Sequence, residues 1–180
     1  MDNEQGIKNF RVTIEGTRPM LQHSPSGIGE KSGRSKDYDP QKEAESYLYR
    51  NKEGKISFPA INLLSCIREA ASDYKVAGKG KKTYKTYIYS GVSISPDMIP
   101  MENDAWTPDI RPCVIGTARV LRSRPKFENW SLTFELSRLD EIINVDDLKD
   151  ILAAAGKYKG LGDFRPLFGL FKVTSFEEIK

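Results

Sequence analysis

The hydrophobic pattern of the chain begins with a strict alternation. Apolar and polar residues alternate from Phe10 to Glu15, and the same alternation returns from Trp130 to Leu136. A period of two residues is typical of a strand with one buried face. Runs rich in β-branched and aromatic residues predict three more strands, at Tyr84 to Ile94, Val114 to Leu121 and Leu167 to Thr174. We expect residues 122–129 to join the strands on either side of them as a hairpin.

Two segments carry the periodicity of a helix instead. From Pro59 to Tyr74, apolar residues recur at steps of three and four, which predicts an amphipathic helix of about four turns. Proline suits the first turn of a helix, so Pro59 marks its start. A second helix is predicted to begin at Asn144 as its N-cap, with acidic residues in the first turn, and to end at Gly156.

The order of these elements predicts the fold. Apart from one extra strand between the helices, they follow the order strand, helix, strand, strand, helix, strand. This is the order of a ferredoxin-like or RRM-like α+β fold, a four-stranded antiparallel sheet with two helices on one face. We expect one such domain over residues 1–180 with long loop insertions. Residues 23–55 form a polar insertion with one helical turn around Gln41 to Leu48, and residues 79–112 form an irregular, thumb-like excursion.

Composition narrows the class of protein. Of 180 residues, 38% are hydrophobic and 29% are charged, which is typical of a globular protein with a polar surface. The sequence shows neither an apolar run of membrane-spanning length nor a secretory leader, so we expect a cytoplasmic protein without membrane contact. With one histidine and two cysteines, no His/Cys metal cage is predicted. We expect His23 to be an exposed loop residue and Cys66 to be a small buried hydrophobe.

The stretch from Gly160 to Val173 carries the clearest candidate chemistry. Three glycines free its backbone for close approach, and Arg165 lies between them with a charge that can fork onto a phosphate. We expect Asp163 to pair with Arg165 or to cap a local amide, and Phe164, Phe168 and Phe171 to pack internally. On this interpretation a Gly162→Val substitution damages nucleic-acid binding more than folding.

The net charge is only +3, but the basic residues cluster. They crowd into residues 75–85, 111–126 and 157–172, and in the first cluster strand alternation would place Lys85, Tyr87 and Tyr89 on one face. Basic strips with interleaved aromatic residues are typical of single-stranded nucleic-acid binding. The predicted nucleic-acid-binding residues are Arg18, Arg68, Lys79, Lys81, Lys82, Lys85, Arg119, Arg122, Arg124, Lys157, Lys159, Gly160, Gly162 and Arg165.

Three segments together resemble a known family. Residues 10–21, residues 56–70 and the late Gly-rich loop are similar, in order and spacing, to the CRISPR-associated RAMP superfamily, and more narrowly to the repeating backbone subunit that coats guide RNA. The family often has Ser-Leu-Lys-Gly at the helix start, whereas this chain has Asn62 to Ser65, so only Arg68 matches the usual downstream arginine. A compact or phage-encoded relative fits the short chain.

The resemblance implies a function and leaves two alternatives open. It implies a subunit in antiviral defence that binds single-stranded guide RNA without a cofactor, oligomerises along it as a filament, and joins other effector subunits. One alternative is a target-RNA-cleaving subunit, in which Asp37 or Asp39 holds Mg²⁺ beside a phosphate. The other is a phage-type protein that coats single-stranded DNA.

Overall fold

A computed structural model describes residues 6–27 and 38–179 of the chain. The strands are β1 (Lys8–Gly16), β2 (Met20–Leu21), β3 (Ser57–Pro59), β4 (Val92–Ser95), β5 (Met98–Pro100), β6 (Thr107–Ile115), β7 (Ala118–Phe127), β8 (Ser131–Arg138) and β9 (Phe171–Ile179). The α-helices are α1 (Pro40–Ser46), α2 (Ala60–Ala70), α3 (Ile88–Gly91) and α4 (Val145–Ala154).

The largest sheet has four antiparallel strands in the order β4-β8-β1-β9. In chain order, these strands and the helices α2 and α4 read strand, helix, strand, strand, helix, strand. The first strand therefore lies beside the third and fourth, which is the ferredoxin-like topology. The predicted fold class is confirmed.

Alternation along β1 and β8 sorts the residues of this sheet onto its two faces. Val12 lies opposite Phe134, and Ile14 lies opposite Leu132, so the apolar residues of both strands share one face. All four are buried in a core that also contains Leu63 of α2 and residues of α4. Both helices thus cover the same face of the sheet, because only that face offers them an apolar surface.

The ends of the helices follow from their capping residues. Asn144 caps α4 as predicted, and its side-chain oxygen accepts a hydrogen bond from the Asp146 amide at 2.8 Å. The predicted end at Gly156 is wrong, because α4 continues through a π-helical turn (Ala155–Lys159) to Gly160. A Cβ atom at Gly156 would collide with Phe171 of β9. This glycine allows the helix to approach the sheet closely.

A second, three-stranded sheet has the order β2-β7-β6. The predicted strand from Val114 to Leu121 is wrong, because that segment turns at Gly116 (φ 61°) and forms the tip of the β6–β7 hairpin. The pairing partner of β8 in the main sheet is β4 instead of β7. Residue composition indicated extended chain in this region, but a short turn with a left-handed glycine decided the pairing.

Residues 79–112 are more regular than expected. Tyr84 to Gly91 was predicted as strand but forms a 3-10 turn (Tyr84–Thr86) followed by α3. The hydroxyl of the buried Tyr84 donates a hydrogen bond to an Asp147 carboxylate oxygen at 2.6 Å, which anchors this turn to α4. The rest of the range contains β4, β5 and most of β6.

The described part of the predicted polar insertion at residues 23–55 contains a helix that contacts β7. The expected helical turn is confirmed as α1, whose Ala44 is buried and whose Glu43 bonds to Arg122 of β7 at 2.8 Å. His23 is half-buried rather than exposed, and its ring packs edge-on against Tyr47 at 4.5 Å between centroids. Across the described ranges, every helix is too short or too polar to cross a membrane.

Candidate nucleic-acid interface

The Gly-rich loop, here residues 160–170, is held against the turn between β1 and β2. The Gly169 amide donates a hydrogen bond to the Pro19 carbonyl at 2.7 Å, and the Asp163 amide donates one to the Leu21 carbonyl at 2.9 Å. A third bond, from the Leu161 amide to the Gly169 carbonyl at 2.9 Å, closes the loop on itself. The loop is therefore docked on the body of the domain.

The glycines of this loop serve that docking. Gly160 and Gly162 have φ angles of 75° and 79°, which favour glycine. A Cβ atom at Gly160 would meet the backbone of Gly169 at 3.0 Å, and one at Gly162 would collide with the Leu21 carbonyl oxygen. The space beside these glycines, where the sequence analysis expected a ligand, is filled by the backbone of Gly169 and Leu21. The prediction that Gly162→Val harms binding more than folding is therefore wrong in its physical basis.

Cys66 of α2 contacts the first residue of the Gly-rich loop. Its thiol is buried, as predicted, and lies 3.2 Å from the Gly160 carbonyl oxygen, to which it donates a hydrogen bond. Burial raises the pKa of this thiol to about 12. The thiolate is the reactive form of cysteine, so Cys66 is inert and has a packing role.

Four predicted cations converge around the loop, and we call them, with Glu69, the cationic surface. Lys159 and Arg165 approach the two carboxylate oxygens of Glu69 at 4.0 and 3.8 Å. Arg18 donates to the Leu167 carbonyl at 3.3 Å, two residues beyond Arg165. Arg68, the neighbour of Glu69 on α2, lies 4.7 Å from the centre of the Tyr89 ring. Glu69 thus joins Lys159 to Arg165, and Arg18 contacts the same loop.

The cationic surface contains a cleft of about 460 Å³. Its rim carries exposed rings, Tyr158 and Phe164, beside the charges of Lys159 and Arg165. The predicted packing of the phenylalanines is confirmed for Phe168 and Phe171, which are buried, but is wrong for Phe164. Phe164 is 40% exposed, and the Arg124 guanidinium lies 5.0 Å from the centre of its ring. Exposed rings next to cations are suited to stacking bases while phosphates are neutralised.

Arg124 and Arg122 of β7 were predicted to contact nucleic acid but are engaged internally. Arg124 forms an ion pair with Asp163, which ties the Gly-rich loop to the hairpin sheet. Arg122 donates to Glu43 at 2.8 Å, and this bond raises its pKa. Both guanidinium groups satisfy acids of the same chain and help to hold separate elements together.

Asp163 does not pair with Arg165. One of its oxygens accepts a hydrogen bond from the Phe164 amide at 3.0 Å, so the predicted local cap is confirmed. The other oxygen faces Arg124 and lies 3.4 Å from His23 Nδ1. The hydrogen bond from His23, followed by the charge of Arg124, holds the pKa of Asp163 below its usual value of 3.8.

The other predicted cations do not line the cleft. They are fully exposed on the loop after α2 (Lys79, Lys81, Lys82), on the 3-10 turn (Lys85), near the hairpin tip (Arg119) and on the π-helical turn (Lys157). The strand face proposed for Lys85, Tyr87 and Tyr89 does not exist, because residues 84–91 are helical. Of these three, Tyr89 reaches the cationic surface, and its hydroxyl lies 3.0 Å from that of Ser65.

The two candidate catalytic aspartates differ in what the structure shows. Asp39 is the N-cap of α1, and its Oδ1 accepts hydrogen bonds from the Gln41 and Lys42 amides at 3.0 and 3.2 Å. This contact explains its position without a metal. Asp37 lies outside the described residues. Within residues 6–27 and 38–179, no group of three or more metal-ligating side chains converges.

The open sheet face, opposite the helices, carries Arg11, Thr13, Glu15, Thr133, Glu135 and Lys172. Thr13 and Thr133 share a hydrogen bond of 3.0 Å, and the Glu15 carboxylate pairs with Lys172 at 3.1 Å. Arg11 lies 4.0 Å from Glu135. Glu177 also lies opposite Arg11, so acids outnumber cations on this face. The face is thus made of hydroxyls and mainly acidic charges, unlike the aromatic sheet face with which RRM domains stack bases.

Sequence reasoning missed Glu69 and Tyr158. Glu69 looked like an ordinary polar position on α2, and Tyr158 like a residue at the end of α4. Glu69 lies far from Lys159 in the sequence, and the two segments meet only in the folded chain. No sequence pattern could therefore predict their contact.

Comparison with known proteins supports the fold. No protein-family model matches the sequence, and no curated protein matches it. Among solved structures, the chain is similar to one in the cryo-EM structure of the Type III-B Cmr-beta bound to cognate target RNA, with a TM-score of 0.58 and 17% sequence identity. The match covers 99% of this chain and 62% of that one, so the present chain spans less than two thirds of its neighbour. This likeness shows a shared fold.

Proposed function

We propose that this protein is an RNA-binding backbone subunit of a CRISPR-type ribonucleoprotein effector complex. It binds single-stranded guide RNA through the phosphate backbone, and its copies assemble along that RNA beside other effector subunits. The placement of Lys159 and Arg165 together in one cleft carries the proposal. Arg18 contacts the same loop at Leu167, and Arg68 is the neighbour of Glu69 on α2.

Backbone contact without sequence readout fits the chemistry of the cationic surface. Guanidinium and ammonium groups recognise phosphates, and exposed rings such as Tyr89, Tyr158 and Phe164 stack on any base. The structural neighbour comes from a Type III-B Cmr-beta assembly bound to RNA, which supports an effector subunit as the context. The residue pattern that resembles a guide-coating subunit points the same way.

The β6–β7 hairpin supports assembly with further subunits. Ile110, Val114 and Leu121 are large apolar residues that it exposes to solvent. Ile110 and Val114 alternate along β6, and Leu121 lies between their partners on β7, so all three share one face of the hairpin. Contiguous exposed apolar surface is typical of contact with a protein or nucleic-acid partner.

Purification and binding test the proposal directly. We expect the protein to purify with RNA of discrete length, and the RNA-free protein to bind labelled single-stranded RNA with an affinity that falls steeply as salt rises. Mass photometry on RNAs of increasing length should show the number of bound copies rising in steps. A monomer without nucleic acid and without salt-sensitive RNA binding would contradict the proposal.

The identity of the nucleic acid is tested separately. Competition between RNA and DNA strands of the same sequence at one salt concentration should favour RNA, because a 2′-hydroxyl offers hydrogen bonds that DNA lacks. Stronger binding to DNA would favour the phage-type coat protein instead. Cleavage of labelled target RNA with Mg²⁺, abolished in an Asp37→Ala, Asp39→Ala variant, would favour the nuclease.

A further inference from the structure

Glu69 occupies an unusual position in the cationic surface. Its two carboxylate oxygens face different cations, Lys159 Nζ at 4.0 Å and Arg165 Nη1 at 3.8 Å. Both separations are at the outer limit of an ion pair, and such pairs on a surface contribute about 1 kcal/mol or less. The carboxylate therefore lies between the two cations without binding either of them tightly.

A phosphodiester presents the same arrangement of charge. It offers two equivalent oxygens on one atom, as a carboxylate does, with a full negative charge and more acceptor capacity. The cleft beside Glu69, at about 460 Å³, leaves room for a phosphate together with the sugar attached to it. Lys159 and Arg165 line this cleft, so a phosphate that enters it meets both cations.

The other acid of the cleft is not available to these cations. Asp163 is turned toward Arg124 and His23 and caps the Phe164 amide. Within the described part of the chain, Glu69 is thus the acid within ion-pair distance of Lys159 and Arg165. Its own side chain is 55% exposed, so it can swing into solvent without breaking a packed contact.

We propose that Lys159 and Arg165 form a phosphate subsite, that Glu69 occupies this subsite in the RNA-free protein, and that an RNA phosphodiester displaces it. This inference rests on the proposed function. Glu69 then acts as an internal competitor that weakens RNA binding, because the phosphate must displace it before pairing with the two cations.

The variant Glu69→Gln tests the subsite, with Glu135→Gln as the matched control. Both changes remove one carboxylate, from side chains that are 55% and 52% exposed and that lie about 4 Å from an arginine. Glu135 lies on the open sheet face, so general electrostatics would affect both variants equally. By fluorescence anisotropy, we expect Glu69→Gln to bind labelled single-stranded RNA about fivefold tighter than Glu135→Gln does.

If the gain in affinity comes from freeing Lys159 and Arg165, it must disappear when both cations are removed. In the double variant Lys159→Gln, Arg165→Gln, adding Glu69→Gln should leave the affinity unchanged. Equal affinities for Glu69→Gln and Glu135→Gln would overturn the subsite, and so would a gain that persists in the double variant. A wild-type protein with no salt-sensitive RNA binding would instead refute the proposed function itself.

Discussion

The open face of the four-stranded sheet and the cationic surface on its helical side differ in how their positive charges are paired. On the open sheet face, Lys172 pairs with Glu15 at 3.1 Å, and Arg11 faces Glu135. On the helical side, Lys159 and Arg165 share one carboxylate, while Arg18 donates to a carbonyl and Arg68 stacks on Tyr89. Each cation of the sheet face has an acidic partner and acids are in excess, whereas the cationic surface has an excess of cations.

The difference shows that an RRM-like order of elements does not imply an RRM-like binding face. The register of the sheet places Arg11 opposite Glu135 and Glu15 opposite Lys172, so each cation meets an acid on the neighbouring strand. Glu102 adds a further carboxylate, which accepts hydrogen bonds from Ser131 and Thr133. An acidic, hydroxyl-lined sheet repels phosphate, so the proposed RNA interface lies on the helical side instead.

The largest expected effect concerns the support of the cationic surface. We expect Gly162→Ala to lower the free energy of unfolding by about 3 kcal/mol or more, because a strained φ and a collision with the Leu21 carbonyl add together. Urea denaturation measures this loss. RNA binding should fall with it, and alkylation of the buried Cys66 should become faster.

Gly80→Ala is the control for this substitution. Gly80 also has a positive φ, of 66°, but nothing lies within 4 Å of an added Cβ, so only the backbone term of about 1–2 kcal/mol applies. Equal losses in the two variants would show that the Gly-rich loop is not docked as described. A Gly162→Ala protein that is stable but unable to bind RNA would restore the ligand-approach interpretation.

The next effect compares the two sides directly. The pair Lys159→Gln, Arg165→Gln should weaken single-stranded RNA binding about tenfold at low salt and lower the salt slope by about 1.4, since each cation contributes about 0.7. The matched pair Arg11→Gln, Lys172→Gln removes the same two residue types from the open sheet face. We expect it to change affinity less than about twofold. A larger loss in the sheet pair would place the RNA on the sheet.

A smaller effect tests the joint between the Gly-rich loop and the hairpin sheet. The folded pKa of Asp163 is below its ordinary value of 3.8, so its ionised form stabilises the fold above that value and this contribution is lost as pH falls through the folded pKa. Asp163→Asn should therefore lower the free energy of unfolding by about 1 kcal/mol at neutral pH. The difference from wild type should shrink toward acidic pH.

Urea denaturation of both proteins across this pH range gives the measurement. The reciprocal variant Arg124→Gln should produce a loss of similar size, because it removes the partner of the same carboxylate. A difference between wild type and Asp163→Asn that grows as pH falls would contradict the direction of the pKa shift.

The smallest effect separates charge from stacking at Arg68. Arg68→Lys keeps the charge but loses the planar contact with Tyr89, so RNA affinity should change less than about twofold with an unchanged salt slope. Arg68→Gln should lower the slope by about 0.7. Anisotropy titrations at several salt concentrations distinguish the two variants, and equal slopes would remove Arg68 from the phosphate contacts.

Much of the fold could be predicted from the sequence because periodicity and capping involve residues close together in the chain. The alternation in β1 and β8 and the periodicity in α2 each place apolar residues on one side, and burial of that side is sufficient to define the element. The cap at Asn144 is likewise a short-range contact. The helical structure of residues 84–91 was not predicted. The hydrogen bond from Tyr84 to Asp147 that anchors this segment joins parts of the chain that are distant in sequence.

The candidate site was readable only in part. Clustering of basic residues pointed to Arg165 and Lys159, and the family resemblance pointed to Arg68. The structure brings Arg165 and Lys159 together around Glu69, the neighbour of Arg68. The same clustering pointed to Arg122 and Arg124, which the fold turns toward Glu43 and Asp163. A sequence states that a residue is charged, but not whether an acid from another element will reach it.

The sequence by itself therefore determined the ferredoxin-like order of elements, the buried faces of the sheet and its helices, and the existence of a Gly-rich loop with a central arginine. The tertiary structure alone decided which cations remain free, that the glycines contact the chain instead of a ligand, and that Glu69 lies between Lys159 and Arg165. The physical reason is range. Periodicity and capping act within a few residues, whereas charge balance and close packing depend on which distant segments meet.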